Sequence, residues 1–82
     1  MSKSSDSEIL QLDARRLLCP MPIIRLQNFM LDQTVGAKVE VSCSDPGSIN
    51  DIPAWCRING HFVLSIEDKG VDIKIIVQKG SD

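Results

Sequence analysis

The segment 37–44 alternates strictly between apolar and polar residues, and this pattern constrains the fold more than any other. Its apolar members are Ala37, Val39, Val41 and Cys43, and the polar members between and after them are Lys38, Glu40, Ser42 and Ser44. Successive side chains of a strand point to opposite faces of the sheet. The alternation therefore predicts a sheet with one covered face and one solvated face. Any helices in the chain must then pack against that one apolar face.

Three further segments predict strands. The first runs from Ile9 to about Ala14. Residues 62–66 and 71–77 alternate again, and the turn between them ends in Gly70, which is typical of a β-hairpin. The hairpin residues that we expect on the apolar side are Phe62, Leu64, Ile66, Val71, Ile73, Ile75 and Val77.

Two segments have helical periodicity. The first covers about residues 20–32, and the second begins at Asp45 or Ser48 and ends at Asn59-Gly60. Pro53 predicts that the second helix is short or bent at its front, because proline removes a helical hydrogen bond. The expected core residues of the first helix are Ile23, Ile24, Leu26, Met30 and Leu31, and those of the second are Ile49, Ile52, Trp55 and Cys56.

The element order is strand, helix, strand, helix, strand, strand. With one apolar sheet face and right-handed crossovers, this order predicts an α/β (α+β) fold, a two-layer sandwich with a four-stranded mixed sheet and both helices on one side. A chain of 82 residues suits a single domain, which we place at residues 9–80, with residues 1–8 as a disordered tail and 79–82 as a C-terminal tail. No apolar run approaches the ~20 residues of a membrane span, so we expect a cytoplasmic protein without a membrane contact.

Cys19 lies where the first predicted helix begins. Pro20 and Pro22 suit the first helical turn, which makes Cys19 the N-cap, although cysteine is a poor capping residue. The N-terminus of a helix carries partial positive charge and lowers the pKa of a thiol there. Three arginines are close in sequence, namely Arg15, Arg16 and Arg25. We therefore interpret Cys19 as a reactive thiol, held outward by a stiff loop.

The other cysteines and the single histidine have plainer interpretations. Cys43 and Cys56 fall on apolar faces, where a free cysteine usually packs as a small hydrophobe. An odd number of cysteines without a C-x-x-C pair argues against a disulfide framework. The spacing of the three cysteines and the histidine matches no familiar zinc-binding pattern. His61 follows Gly60, and we favour a turn histidine over a catalytic base. We expect no metal and no other cofactor.

The pattern Leu12-Asp13-Ala14, Leu17, Cys19-Pro20-Met21-Pro22 resembles the signature of the TusA/SirA family of small sulfur-carrier proteins. Asp45-Pro46-Gly47, followed by Asp51-Ile52-Pro53, is similar to a second block of that family. The resemblance extends over roughly residues 10–80 and implies the same β-α-β-α-β-β sandwich.

The resemblance also implies a function. Cys19 would accept sulfane sulfur as a persulfide from a donor such as a cysteine desulfurase and pass it to an acceptor protein. In TusA itself the sulfur continues through a relay to an enzyme that makes 2-thiouridine in tRNA, whereas relatives serve molybdenum-cofactor assembly or sulfur oxidation. This implies a persulfide carrier of the sulfurtransferase type, and we expect a monomer.

The chain departs from the family pattern beside the cysteine. Leu18 stands where a basic residue is common, and Met21 stands where an acidic residue is common. Met21 falls on the polar stripe of the first predicted helix, so we expect it to be exposed. With Arg15, Arg16 and Arg25, Leu18 and Met21 are candidates for partner contacts. The alternatives to a carrier are a thiol oxidoreductase and a protein-interaction or regulatory module in which Cys19 is a bystander. Direct RNA binding is disfavoured by the formal net charge of −2.

Overall fold

The structure, a computed structural model, describes residues 9–17 and 21–80. Its elements are β1 (Ile9–Ala14), α1 (Met21–Leu31), β2 (Lys38–Cys43), α2 (Ser48–Asn59), β3 (Phe62–Asp68) and β4 (Ile73–Gln78). The predicted element order and the predicted α+β sandwich are confirmed. The prediction that α1 begins at Pro20 lies outside the described residues. Within the described part of the chain, neither helix is long and apolar enough to cross a bilayer.

The sheet has the strand order β1-β2-β4-β3. β1 runs parallel to β2, while β4 is inserted antiparallel between β2 and β3. Consequently β1, β2 and β3 all end at the same edge of the sheet, with Ala14 paired to Cys43 and Cys43 paired to Ile73. We call this the carboxyl edge, and the edge where β1, β2 and β3 begin the amino edge. Because α1 follows β1 and α2 follows β2, both helices begin from the carboxyl edge.

The core lies between the central strands and the two helices. The apolar face of β2 is fully buried, as its alternation predicted, and so is the matching face of β4. Burial of these side chains supplies the main favourable free energy of folding. The buried core residues are Ala14, Leu26, Met30, Val39, Val41, Cys43, Ile52, Cys56, Ile73, Ile75 and Val77.

The buried stripe of α1 is narrower than its sequence predicted. Pro22, Leu26 and Met30 are buried at a spacing of four residues, so the stripe faces the sheet directly. Ile24 and Leu31 were expected in the core, and that prediction is wrong, because 43% and 71% of their surfaces remain exposed. A two-layer sandwich has no third layer to cover the flank of the helix on which they lie.

Strand β3 also differs from its predicted pattern. Phe62, Leu64 and Ile66 are exposed instead of buried, and Val63 packs against the core in their place. The pairing with β4 shifts register between Val63 and Ser65, as a β-bulge does when it inserts an extra residue, so Val63 and Ile66 lie opposite the buried Val77 and Ile75. Ile66 therefore keeps the predicted side of the sheet but is 42% exposed there. β3 is moreover an edge strand that the helices cover only in part.

Two details of the hairpin and of α2 also correct the predictions. Val71 precedes β4 and is 82% exposed, so it does not share the apolar face of that strand. Helix α2 begins at Ser48, with Gly47 as N-cap and no side-chain cap, and it runs through Pro53 without being shortened. It ends at Gly60 in the left-handed conformation, as predicted.

Lys79 is part of the folded domain and not of a tail, contrary to the prediction. Its side chain is buried, and the ammonium donates hydrogen bonds to the carbonyl oxygens of Met30, at 2.8 Å, and Gln33, at 2.7 Å. These acceptors lie at the C-terminal end of α1, where a helix has unpaired carbonyls and partial negative charge. The backbone of Lys79 pairs with Gly36 and Ala37, which fixes the lysine beside that helix end.

Candidate functional site

The predicted nucleophile belongs to a short segment of the sequence whose described neighbours on both sides lie at the carboxyl edge. Leu18, Cys19 and Pro20 lie outside the described residues. On one side of them, Leu17 packs partly against the core. On the other side, Met21 begins α1 with 45% of its surface exposed, as predicted, and Pro22 is buried in the first turn. In the sequence these three residues join Leu17, three residues after the end of β1, to Met21, the first residue of α1.

Asp13 and Arg15 form an ion pair at the end of β1. The Nε and Nη2 atoms of Arg15 donate to the two carboxylate oxygens of Asp13 at 2.9 and 3.1 Å, and the Arg15 backbone N–H donates at 3.0 Å. These bonds lower the pKa of Asp13 from its ordinary 3.8 to about 2 and raise the pKa of Arg15. The charge of Arg15 is thus largely compensated by Asp13, although both side chains remain exposed.

Two other arginines tie the neighbouring elements together. Arg16 has a positive φ of 69°, and its backbone N–H donates to the Ser44 hydroxyl oxygen at 2.8 Å. Arg25, on α1, donates from Nη1 to the backbone carbonyl oxygen of Asp13 at 3.3 Å. The structure thereby brings all three predicted arginines to one edge of the sheet.

A cleft of about 400 Å³ opens at this edge. Its lining residues are Asp13, Arg15, Arg16, Ser44 and Val71. Sequence reasoning did not assign roles to Asp13 and Ser44. The sequence does contain a signal for the ion pair of Asp13, because a carboxylate two residues before an arginine at a strand end can pair with it. It contains no such signal for Ser44, which meets Arg16 only because β1 pairs in parallel with β2.

The two cysteines of the described chain are buried thiols, as predicted. Both lie in the core cluster. Burial raises the pKa of Cys43 despite a hydrogen bond with the Ser48 side chain, and burial raises the pKa of Cys56 from 9.0 to about 11. Neither thiol is ionised to a useful extent at neutral pH, and neither is accessible to another protein.

His61 lies at the amino edge, a full strand length from the N-terminus of α1. Its Nδ1 accepts the Gly80 backbone N–H at 3.1 Å, and its ring lies against Trp55 with centroids 5.0 Å apart. Burial, and then the positive charge of Lys79, lower its pKa. Within residues 9–17 and 21–80, no three His, Cys, Asp or Glu side chains cluster as ligands for a metal ion.

In the described residues, Cys43 and Cys56 are buried, and Leu17 and Met21, the described neighbours of the Cys19 segment, lie at the carboxyl edge. This arrangement agrees with the comparison to known proteins. Residues 10–79 match the family model described as Sulfurtransferase TusA. The chain belongs to the TusA sulfurtransferase family. It is therefore a member of a family of sulfur carriers, which exchange sulfur with donor and acceptor proteins.

Individual TusA relatives cover most of the chain. "Putative sulfur carrier protein YrkI" of Bacillus subtilis is 42% identical over 69 residues, which are 84% of this chain and 92% of that protein. Sulfur carrier protein TusA of Buchnera aphidicola is 34% identical over 68 residues, 83% of this chain and 86% of that protein. "Putative sulfur carrier protein YrkF" of B. subtilis is 37% identical over 71 residues, 87% of this chain but only 38% of that longer protein.

The lowered pKa of His61 predicts a pH-dependent stability. Between its folded pKa and the ordinary 6.5, the unfolded chain binds a proton that the folded chain does not. The free energy of unfolding should therefore fall as the pH drops below about 6.5. Urea denaturation of the wild type and of His61→Gln, at several pH values from 7.5 down to 5, measures this. His61 is the only histidine in the sequence, so His61→Gln should reduce the dependence of the unfolding free energy on pH in this range. An unchanged dependence in the variant would contradict the role of His61.

Proposed function

We propose that this chain carries sulfane sulfur as a persulfide on Cys19. The observation that supports this proposal most strongly is that the other two cysteines are buried. Of three cysteines in the sequence, Cys43 and Cys56 are enclosed in the core with raised pKa values. A sulfur carrier needs an accessible thiol that ionises, because the thiolate is the nucleophile. Cys19 is the thiol that remains for that task.

The described residues near Cys19 in the sequence favour an anion. Met21, two residues later, is the first residue of α1, and the N-terminal end of a helix offers unpaired N–H groups and partial positive charge. α1 has no acidic residue in its first turn that would oppose this charge. Arg16 and Arg25 add positive charge at the same edge. We infer that both the thiolate and the persulfide anion are stabilised there.

Transfer requires two exchanges at sulfur. In the first, the Cys19 thiolate attacks the outer sulfur of a donor persulfide, the donor's S–S bond breaks, and the donor leaves as a thiolate. In the second, a thiolate of the acceptor attacks the outer sulfur of the Cys19 persulfide, and Cys19 leaves as a thiolate. Each exchange forms one bond to sulfur and breaks one, so no external oxidant, reductant or cofactor is required. Cys43 and Cys56, being buried, cannot resolve the persulfide as an internal disulfide.

We infer the partners from the family and from this chemistry. A cysteine desulfurase suits the donor role, and a relay that ends in tRNA 2-thiouridine suits the acceptor role. Molybdenum-cofactor assembly and sulfur oxidation are the alternative destinations, and an interaction module is the alternative in which Cys19 carries nothing. We further propose a monomer located in the cytoplasm, where cysteines persist as thiols.

Cys19→Ser should abolish sulfur loading and leave the fold intact, because serine is at least as good an N-cap as cysteine. Incubation with a cysteine desulfurase and cysteine, followed by mass spectrometry of the intact protein and its peptides, should show one added sulfur atom on Cys19 of the wild type only. Circular dichroism checks the fold.

The matched control for loading is Cys56→Ala, which removes a buried thiol and should still load. Persistence of the added sulfur in Cys19→Ser, or its location on Cys43 or Cys56, would refute the carrier role of Cys19. Full retention of partner-dependent phenotypes in Cys19→Ser would favour the interaction module.

Met21→Glu should change partner preference with little effect on stability, since Met21 is about half exposed at the first position of α1. Leu18→Arg is expected to act in the same direction. Pull-down with candidate donors and acceptors, compared between wild type and variants, measures the preference, and urea denaturation measures stability. The control is Met21→Leu, which keeps an apolar side chain. Identical pull-down profiles for Met21→Glu and Met21→Leu would disprove this role.

A further inference from the structure

A cavity at the amino edge contains a buried lysine and several apolar side chains. It is about one strand length away from Leu17 and Met21, the residues that flank the Cys19 segment. It lies between the C-terminal ends of α1 and α2, opens to solvent and has a volume of about 220 Å³. The lining residues that matter here are Met30, Leu31, Trp55, His61 and Lys79. The sulfur chemistry proposed above uses none of them.

The charge in this cavity is the Lys79 ammonium. Lys79 is only 7% exposed. An ammonium has three N–H donors, and in the described part of the chain two of them are used, by the carbonyl oxygens of Met30 and Gln33. No ion pair joins Lys79 to a carboxylate of the described residues, and the cavity lining contains none. Buried lysines normally have a charged partner. The helix end supplies only about half a negative charge, so the cavity remains positive.

His61 adds a second donor to the cavity. Its Nδ1 accepts the Gly80 N–H, so the proton of the neutral ring is on Nε2. The polar groups offered by Lys79 and His61 are therefore both hydrogen-bond donors. A ligand that suits them must be an acceptor, and the charge of Lys79 favours an anion.

The lining also includes two uncharged polar residues, Gln27 and Asn59, and the rest of the wall is apolar. Met30 and Leu31 form one side of the cavity and the ring of Trp55 forms part of another. A bare inorganic anion would leave these surfaces without contacts, whereas a carboxylate on a short apolar body would cover them. A volume of this size holds a ligand of several non-hydrogen atoms.

We propose that this cavity binds a small organic carboxylate, with its anionic group at Lys79 and His61 and its apolar body against Met30, Leu31 and Trp55. The site lies at the opposite edge of the sheet from Leu17 and Met21, the described neighbours of the Cys19 segment. Binding there is independent of sulfur loading, so it gives the carrier a second point at which a small metabolite can act on it.

Trp55 makes the test direct, because it is the only tryptophan of the chain. Its fluorescence is followed while hexanoate, hexanamide, sulfate or chloride is added at constant ionic strength. We expect a saturable change with hexanoate and no saturable change with hexanamide or chloride. Equal responses to hexanoate and chloride, or equal affinity for hexanamide, would overturn the site. Saturable binding of sulfate but not of hexanoate would overturn the assignment to an organic carboxylate.

Variants locate the binding. Lys79→Met removes the ammonium and should weaken hexanoate binding by about 10- to 100-fold. Because Lys79 also holds the end of α1, a second pair of variants avoids any effect on folding. Leu31 is 71% exposed at the rim, and Val35 is 54% exposed outside the lining. Leu31→Glu should weaken hexanoate binding by repulsion, whereas the matched control Val35→Glu should not.

Equal binding by the Leu31→Glu and Val35→Glu variants would contradict the location. Cys19→Ser should bind hexanoate like the wild type. If that variant no longer loads sulfur but still binds hexanoate, the cavity is separate from the carrier function. Loss of hexanoate binding in Cys19→Ser would refute the independence of the two sites.

Discussion

The sheet of this protein has one apolar face, and the rest of the structure depends on that constraint. β2 and β4 bury every second side chain, so both helices must lie on the same side of the sheet. Because β1 and β2 are parallel, each is followed by a helix that starts at the carboxyl edge. Open α/β sheets commonly place their sites at such edges. The positions of Leu17 and Met21, which flank the Cys19 segment in the sequence, follow from the hydrophobic pattern before any chemistry is considered.

The two edges of the sheet have different electrostatic characters. At the carboxyl edge, Arg15 is compensated by Asp13, while Arg16 and Arg25 join the loops and the helix start by single hydrogen bonds. At the amino edge, Lys79 is buried and paired only with helix carbonyls among the described residues. The first arrangement leaves Arg15, Arg16 and Arg25 exposed near the segment that carries Cys19, which suits the proposed exchange of sulfur with other proteins. The second encloses a charge, and enclosure favours a small ligand over a protein.

Most of the fold could be predicted from the sequence because the pattern of β2 and of the helices is periodic and local. The errors arose where the outcome depends on distant pairing. The exposure of Leu64 follows from a bulge that only the register with β4 defines, and the burial of Lys79 follows from carbonyls 46 to 49 residues earlier in the chain. At the site, helical periodicity was enough to predict that Met21 is exposed. Strand and helix periodicity likewise predicted that Cys43 and Cys56 are core thiols. The contact between Arg16 and Ser44 was not, because it crosses between two loops.

The structure encloses Cys43 and Cys56, and the central proposal is that Cys19 is the thiol that other proteins can reach. Alkylation of the native protein with iodoacetamide, followed across a pH range and mapped by peptide mass spectrometry, tests it most directly. The account predicts that only Cys19 reacts in the native state, with an apparent pKa below the ~8.5 of a free cysteine, and that all three cysteines react after denaturation. Protection of Cys19 in the native protein, or native labelling of Cys43 or Cys56 at a comparable rate, would contradict it.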